Sequence, residues 1–411
     1  MNKKSLMLSA LLIILLAIAA AGFKYGHIVE RILFAASNDK ATIASNLRLT
    51  DTKYNHHVVG KSSQPTPLPT APSTNLQDKL WPTSFESQGE TLVSDDFLQQ
   101  AQVTGLIVVK DGHMIFEDYW HGLSQSQRQF AFSVAKSMTS VIMGFAIADG
   151  LIDDVNDPVI KYLPQFKGSA WDNATIANTL EMSSGVDFFE DYSRTDTDMS
   201  RFQKAFAFDQ PIEPFMLALT SKAKPGTYQG YNSMEAQMAG MVIRSVLGER
   251  SLTDYMHEKL WQPLGAEDDA TWVTDVTGME LSIGGLSMSL RDLAKVGQLM
   301  LQRGEWQGKQ LLPEAWVMAS TTPLKPYQLP GRDNPLSAKP FGYGYLWWTP
   351  VEPNGREFYA SGIHGQYLFV NEEKNLVIAL YSANYQFTDD PDGWKEKYEN
   401  FFQAIASSME E

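Results

Sequence analysis

The sequence contains no cysteine. This absence excludes a thiol nucleophile, thiolate ligands for a metal and disulfide bridges. It leaves the redox state of the compartment open, because a chain without thiols is equally compatible with reducing and oxidising surroundings.

Positive charge is also scarce, with 33 Lys and Arg against 48 Asp and Glu and a net charge of -15. This balance argues against nucleic acids and anionic membrane surfaces as partners, since phosphate binding depends mainly on Lys and Arg. No Gly-x-Ser-x-Gly segment occurs, which disfavours an α/β-type hydrolase. The seven histidines form no His-Glu-x-x-His or comparable cluster, so a zinc hydrolase is disfavoured and no metal or cofactor is expected.

The N-terminus has the pattern of an export signal. Lys3 and Lys4 precede an uncharged, apolar run from Ser5 to Phe23. The Ala19-Ala20-Ala21 segment fits a cleavage site, but the length of the run favours an uncleaved anchor. We therefore expect residues 1–23 to be a signal anchor or signal peptide, with the body of the protein in the cell envelope outside the cytoplasm.

The remaining chain divides into a segment that precedes the main domain and one large domain. Residues 24–75 are expected to be a juxtamembrane segment with a Pro/Ser/Thr-rich linker or surface segment, and residues 76–411 the main domain. Two β-rich runs, Val103 to Val109 and Met114 to Tyr119, flank Asp111-Gly112 and predict a hairpin. A mainly helical subdomain is expected over about 151–300. Further strands are predicted at 343–348, 358–362, 366–370 and 376–381, and a terminal helix at 392–409.

This order of elements predicts an α+β fold, an antiparallel β-sheet flanked by helices with a mainly helical inserted subdomain. The early hairpin and the late strands must then pair across a long stretch of intervening chain.

Ser133 and Lys136 lie three residues apart at the start of an apolar, helix-like run that ends near Gly150. On a helix both side chains share one face, and an amine beside a serine can make the hydroxyl nucleophilic without a histidine. Ser37…Lys40 and Ser221…Lys224 have the same spacing, but the first lies in a polar stretch and the second runs into Pro225-Gly226. An N-cap serine beside a solvated lysine fits the same pair.

Two later segments offer the remaining parts of a hydrolase. Tyr231-Asn232-Ser233 follows a Pro-Gly turn and precedes a helix over about 234–246, and a nearby lysine ammonium would favour an ionised phenol that can accept a proton. The Gly362-Ile363-His364-Gly365-Gln366 segment can bring free backbone amides close to a substrate. Taken alone, Tyr231 is better explained as a packing aromatic, and the segment 362–366 as an ordinary turn with a chance histidine.

Together the three segments resemble the serine β-lactamase and D,D-peptidase superfamily, in its class C-like branch, which includes esterases and 6-aminohexanoate-dimer hydrolases. The resemblance extends over about residues 90 to 405, through Leu180-Glu181-Met182-Ser183-Ser184-Gly185, Gly284-Gly285-Leu286-Ser287 and Tyr343-Gly344-Tyr345-Leu346-Trp347-Trp348. It implies Ser133 as the acylated nucleophile and Lys136 with Tyr231 as the proton-moving pair. It also implies the amides of Ser133 and Gln366 as oxyanion donors, and the candidate substrate-binding residues are Ser233, His364, Gly365 and Tyr345.

Two departures from the family pattern weaken the prediction of a β-lactamase. Ser233 stands where β-lactamases have asparagine. If Gly365 is the glycine of the Lys-Thr-Gly motif, Ile363 stands where its lysine would be, so the usual cation for the substrate carboxylate is missing. We therefore expect a serine hydrolase acting through an acyl-enzyme on a small ester, linear amide or D-amino-acid peptide. The alternatives are a β-lactamase or D,D-carboxypeptidase, and a non-catalytic, membrane-tethered binding or sensor module on the same fold.

Overall fold

The computed structural model describes residues 26–31, 39–72 and 78–409. In these ranges no helix has both the length and the apolar composition to cross a bilayer. The anchor or signal expected at residues 1–23 lies outside the described residues.

The helices and strands follow one another in this order: α1 (Ile43–Leu49), β1 (His56–Val59), β2 (Ser84–Ser87), β3 (Glu90–Val93), α2 (Ser94–Gln100), β4 (Val103–Lys110), β5 (His113–Tyr119), β6 (Gln129–Phe130), α3 (Val134–Ala148), α4 (Val159–Tyr162), α5 (Ile176–Leu180), β7 (Val186–Asp187), α6 (Asp198–Ala207), α7 (Ile212–Leu217), β8 (Thr220–Ser221), α8 (Ser233–Val246), α9 (Leu252–Met256), β9 (Ala270–Val273), β10 (Leu286–Met288), α10 (Leu290–Leu301), β11 (Glu305–Trp306), β12 (Lys309–Gln310), α11 (Glu314–Thr321), β13 (Gly342–Tyr343), β14 (Trp348–Thr349), β15 (Glu357–Gly362), β16 (Gln366–Asn371), β17 (Leu376–Ser382) and α12 (Pro391–Ser408).

A seven-stranded antiparallel sheet in the order β13-β14-β15-β16-β17-β4-β5 forms the centre of the molecule. The early hairpin pairs with the last strand, with Val109 opposite Val377 and Leu106 opposite Leu380. Side chains of successive residues point to opposite faces of a strand. Tyr367 of β16 accordingly packs on Tyr398 of α12, at a ring-centroid distance of 4.6 Å, while α10 covers the other face of the sheet. The predicted α+β fold with an antiparallel sheet is confirmed.

Helix α3 lies inside the molecule, and its residues 134–146 are all buried. A helix that is buried on every side needs neighbours that cover all its faces. Helix α8 packs along α3, and β15 and β16 of the sheet also contact α3. The residue at its N-terminus is therefore held rigidly at the junction between the sheet and the helical region.

The expected helical region also contains strands that the sequence did not indicate. Strands β9 and β10 join β1 and β6 in a second sheet of order β1-β9-β10-β6. Each strand has only two to four residues, which is too short for an alternating pattern to stand out. The proline-rich stretch after β1 is a surface segment bound to the domain, since the Thr66 amide donates to the Gly265 carbonyl at 2.9 Å and the Met114 amide to the Pro69 carbonyl at 2.7 Å.

One predicted strand, 343–348, is instead two short strands joined by a turn. Leu346 has a positive φ of 61°, which a continuous strand does not allow. The Leu346 amide donates to the Leu180 carbonyl at 2.8 Å, and the Leu346 carbonyl accepts from the Ser137 hydroxyl at 2.6 Å. These tertiary hydrogen bonds fix the turn against α3.

Candidate active site

Ser133 lies at the N-terminus of α3, directly after a tight turn. The Ala131 amide still pairs with the Leu286 carbonyl of β10 at 2.9 Å. Phe132 then takes a positive φ of 46°, an unfavourable conformation for an aromatic residue. Its ring packs on His364, 5.4 Å away between centroids, and this contact helps to hold the turn. The turn directs the side chain of Ser133 into a cavity rather than into the protein core.

Lys136 is one helical turn further on, and its Nζ lies 2.8 Å from Ser133 Oγ. The same amine donates to the Ile283 carbonyl at 2.5 Å, and the side chain is almost entirely buried. Burial lowers the pKa of Lys136 to about 8, against an opposing effect of the Glu190 carboxylate. About a tenth of the amine is therefore unprotonated at pH 7 and about half at pH 8, and this form can accept the serine proton.

Tyr231 stands beside this pair, with Lys136 Nζ 5.1 Å from the centre of its ring. The ring stacks on Trp348 at 5.2 Å. Burial and the nearby Glu190 carboxylate raise the pKa of Tyr231 well above its usual value, although the Ser133 hydroxyl opposes this shift. The expectation that the lysine would favour an ionised phenol is therefore wrong. Tyr231 is a neutral O–H group, suited to donating a proton.

Glu190 is a cavity residue that the sequence did not indicate. The Ser233 amide and hydroxyl donate to its carboxylate at 2.7 and 2.8 Å, and the Tyr192 hydroxyl donates at 2.6 Å. Ser233 itself is buried and does not line the cavity. Its role in the structure is to fix Glu190, which in turn affects the pKa values of Lys136 and Tyr231.

Strand β15 brings a second free amide to the serine. A Cβ atom on Gly362 would lie 3.2 Å from the Ser133 amide nitrogen, so the strand can approach this closely only with glycine. Ser361, Gly362 and Ile363 line the same cavity as Ser133. In the part of the chain that the structure describes, neither the Ser133 amide nor the Ile363 amide donates a hydrogen bond. Two residues that line one cavity therefore each have an unpartnered backbone donor.

The backbone amide of Gln366 is not one of these free donors beside Ser133. It pairs with Gly362 in the β15–β16 ladder, is fully buried, and its side-chain amide donates to the Ser382 carbonyl at 2.7 Å. Strands β15 and β16 are connected by the three-residue turn 363–365, and the sequence did not reveal the conformation of this turn. The structure therefore moves the second candidate oxyanion donor from Gln366 to Ile363.

The other predicted substrate-binding residues also lie outside the cavity lining. His364 Nδ1 is 2.8 Å from the Asn384 carbonyl oxygen, and burial lowers the pKa of this imidazole. Gly365 packs so closely on Tyr398 that an added Cβ would collide with the phenol oxygen. Tyr345 lies in the β13–β14 turn against Trp316, 5.4 Å between ring centroids. None of these three residues is therefore placed to contact a substrate in the cavity.

The cavity has a volume of about 610 Å³ and lies between the sheet and the helical region. Its wall combines aromatic side chains with both signs of charge, including Trp348, Tyr228, Glu190, Asp191 and Lys395. This volume and mixed polarity are typical of a small-molecule site.

The Beta-lactamase family profile matches residues 94–397, which include the serine, the lysine, the tyrosine and the β15 strand. The chain belongs to the beta-lactamase family. A 6-aminohexanoate-dimer hydrolase of Paenarthrobacter ureafaciens is 28% identical over 293 residues, which are 70% of this chain and 74% of that protein.

Solved structures share the fold of this chain. A candidate 6-aminohexanoate-dimer hydrolase from Bacillus anthracis superposes with a TM-score of 0.79 at 23% identity, covering 90% of this chain and 95% of that one. A class C beta-lactamase superposes with a TM-score of 0.55 at 14% identity, covering 76% and 93%. At these identities the likeness concerns the fold alone.

The geometry also changes how the third family motif fits this sequence. Gly362, rather than Gly365, lies against the Ser133 turn. If Gly362 is aligned with the glycine of the family's Lys-Thr-Gly motif, Ala360, which is fully buried, falls where the motif lysine would stand. Ile363 and Ala360 are both apolar, so the motif cation is missing in either alignment.

The Glu190→Gln substitution should shift the pH dependence of kcat/KM for an uncharged ester to lower pH. The amide keeps the shape of the side chain but removes the charge that raises the pKa of Lys136, so the free amine persists at a lower pH. Asp191→Asn is the matched control, because Asp191 also lines the cavity but binds Ser193 and does not affect Lys136. An unshifted profile in Glu190→Gln, or an equal shift in both variants, would contradict this assignment.

Proposed function

We propose that this chain is a serine hydrolase that cleaves a small ester or linear amide through an acyl-enzyme on Ser133. The observation that carries the proposal is the 2.8 Å approach of Lys136 Nζ to Ser133 Oγ, made by a buried amine whose pKa is lowered to about 8. A solvated lysine beside an N-cap serine would have neither the burial nor the lowered pKa.

In the proposed reaction Ser133 Oγ attacks the carbonyl carbon of the substrate and transfers its proton to the neutral amine of Lys136. The Ile283 carbonyl accepts another N–H of this amine and so directs its lone pair towards the serine. Tyr231 donates its O–H proton to the departing nitrogen or oxygen and regains a proton from the Lys136 ammonium. Water then attacks the acyl carbonyl, and the same groups move the protons in reverse.

The negative charge that develops on the carbonyl oxygen needs fixed donors. The free amides of Ser133 and Ile363 are the candidates, because both residues line the cavity and neither amide has a partner in the described structure. Backbone donors already in position stabilise the tetrahedral intermediate without reorganising during the reaction. The N-terminus of α3 adds a favourable dipole at the same point.

A linear ester or amide is favoured over a β-lactam as the substrate. The lysine that normally binds the β-lactam carboxylate is replaced by Ala360, and Ser233 binds Glu190 instead of presenting an amide to the substrate. The relative that shares 28% identity is named a 6-aminohexanoate-dimer hydrolase, and that name gives a dimer of 6-aminohexanoate as its substrate rather than a β-lactam.

Treatment with a fluorophosphonate, followed by mapping of the modified peptide, tests the acylation site. We expect one adduct, on Ser133, and none on Ser193, a serine that also lines the cavity but has no adjacent amine. Folded protein that carries no adduct would contradict the enzyme hypothesis and favour a binding module on this fold.

A panel of a short ester, a linear amide, a D-alanyl peptide and a chromogenic cephalosporin tests the substrate class. We expect ester turnover to exceed cephalosporin turnover, because Ala360 and Ser233 offer no group for the β-lactam carboxylate or side chain. The reverse ranking would favour a β-lactamase and contradict the effect expected from these two residues.

A further inference from the structure

Lys395 is a second buried amine on the wall of the cavity, contributed by the C-terminal helix α12. Its side chain is 8% exposed, and it lines the same cavity as Ser133. Its Nζ lies 3.5 Å from the centre of the Trp348 ring and 4.7 Å from that of Phe341. The proposed reaction makes no use of this group.

In the described part of the chain the ammonium of Lys395 has no direct counter-ion, although Asp392 and Glu399 are close enough to favour its charged form. The neighbouring carboxylates already have other partners: Asp392 pairs with Lys339 at 2.7 Å, and Glu399 accepts from the Tyr359 hydroxyl. Neither they nor any other described residue forms an ion pair or hydrogen bond with Lys395 Nζ. Buried charges normally have a counter-ion, so an unpaired ammonium on a cavity wall suggests that the ligand supplies one.

A series of side-chain contacts connects Lys136, the neighbour of Ser133, with Lys395. Lys136 lies over one side of the Tyr231 ring, Tyr231 stacks on Trp348, and Lys395 lies over Trp348. Two rings thus separate the reacting end of the cavity from the second amine. A substrate that uses both must carry its anion several bonds away from the carbonyl that is attacked.

We propose that Lys395 binds a carboxylate of the substrate, so that this enzyme acts on linear esters or amides that bear a free carboxylate some distance from the scissile bond. The inference rests on the proposed function and adds to it a preference for substrates with a free carboxylate. It also explains how the site can recognise an anion although Ala360 occupies the position of the family's usual lysine.

The pH dependence of binding should follow the charge of this amine. Burial lowers the pKa of Lys395 to about 8. The charged groups that contribute to its pKa are Asp392, Lys339, Glu399 and Lys136. Because only the ammonium form attracts a carboxylate, KM for a carboxylate substrate should rise as the pH increases through this region, while KM for a neutral analogue should not.

A merely structural role for Lys395 predicts a different outcome, and Lys397 provides the matched control. Lys397 is on the same helix and its Nζ also lies over an aromatic ring, 5.0 Å from the centre of Trp394, but it does not line the cavity. If Lys395 only makes a cation–aromatic contact, substitution of Lys395 and substitution of Lys397 should have similar effects on activity. If Lys395 binds the substrate, only its substitution should weaken substrate recognition.

The experiment compares 4-nitrophenyl hydrogen adipate with its neutral methyl ester on the full chain. In Lys395→Met we expect KM for the carboxylate ester to rise about tenfold or more, with kcat changed by less than about threefold and the methyl ester unaffected. Lys395→Arg should keep most of the preference but lose the rise of KM with pH, because guanidinium stays protonated. Lys397→Met should behave as wild type. Equal losses on both esters, or a preference that survives in Lys395→Met, would overturn the inference.

A binding measurement separates this inference from the proposed reaction. In Ser133→Ala, which cannot turn over, calorimetry should find that adipic acid monoamide binds about tenfold more tightly than neutral adipamide, and that adding Lys395→Met removes the difference. That result supports the carboxylate site even if wild-type protein hydrolyses neither ester, an outcome that would count against the proposed reaction alone. Equal binding of the two amides to Ser133→Ala would overturn the carboxylate site.

Discussion

Replacing Lys136 by methionine should lower kcat/KM for a neutral 4-nitrophenyl ester about 10³-fold. Methionine has nearly the same length and shape as the lysine stem, but it cannot accept the Ser133 proton. In wild-type protein kcat/KM should rise with pH and level off above about 8, where Lys136 is largely unprotonated. Steady-state kinetics over pH 6 to about 10 measure both effects.

The Lys136→Arg variant distinguishes a base from a fixed positive charge. Arginine keeps the charge but stays protonated at every accessible pH, so it should be as inactive as methionine. More than about a tenth of wild-type activity in Lys136→Arg would contradict the assignment of Lys136 as the base.

Protein stability provides a second control for the same substitution. Lowering the pKa of a buried lysine from its usual value to about 8 means that, below that pH, burial of the ammonium opposes folding by about 3 kcal/mol. Methionine removes this cost, which offsets the lost hydrogen bond to the Ile283 carbonyl. The melting temperature of Lys136→Met near pH 7 should therefore not fall, and a loss of activity cannot be attributed to unfolding.

The elements that have long periodic or alternating patterns were predictable from the sequence. The hairpin around Asp111, the helix after Ser133 and the terminal helix Pro391–Ser408 are present as expected. The missed strands, such as β9 and β10, are short and depend on tertiary pairing with β1 and β6. The turn at Leu346 likewise depends on hydrogen bonds to residues far away in the sequence, which no local pattern encodes.

The residues of the candidate site were likewise predictable only where they belong to a sequence motif. Ser133, Lys136 and Tyr231 could be found because their spacing and order form a motif. Glu190 and Lys395 belong to no motif, and they reach the cavity only because a loop of the helical region and the last helix fold over it. Charge within a cavity is a property of the assembled fold, so these two residues could not be assigned from the sequence.

The shift from Gln366 to Ile363 has a different cause. Both residues lie in the β15–β16 hairpin, but the three-residue turn 363–365 decides which amide lies beside Ser133. Gln366 is paired with Gly362 in the ladder, whereas the Ile363 amide has no hydrogen-bond partner in the described structure. Ile363 follows the last ladder position of β15, whereas Gln366 begins β16.

The Tyr231→Phe substitution should lower kcat for a linear amide about 10²-fold and have a smaller effect on a 4-nitrophenyl ester. The raised pKa of Tyr231 makes it a proton donor rather than a resting base. An amine leaves only after it has gained a proton, whereas 4-nitrophenolate leaves readily as an anion. The ratio of the two losses therefore measures the donor role directly, by comparing kcat for the two substrates in wild type and variant.

Tyr343→Phe is the matched control for this comparison. Tyr343 packs edge-on against Trp348, 4.5 Å between ring centroids, and belongs to the same aromatic group, but it does not line the cavity. Because phenylalanine preserves the ring contacts at both positions, a change in packing should be small in both variants, and only Tyr231→Phe should slow the amide selectively. Equal losses on amide and ester would mean that Tyr231 acts before the leaving group departs, on the proton of Ser133, and would contradict the donor role that its raised pKa supports.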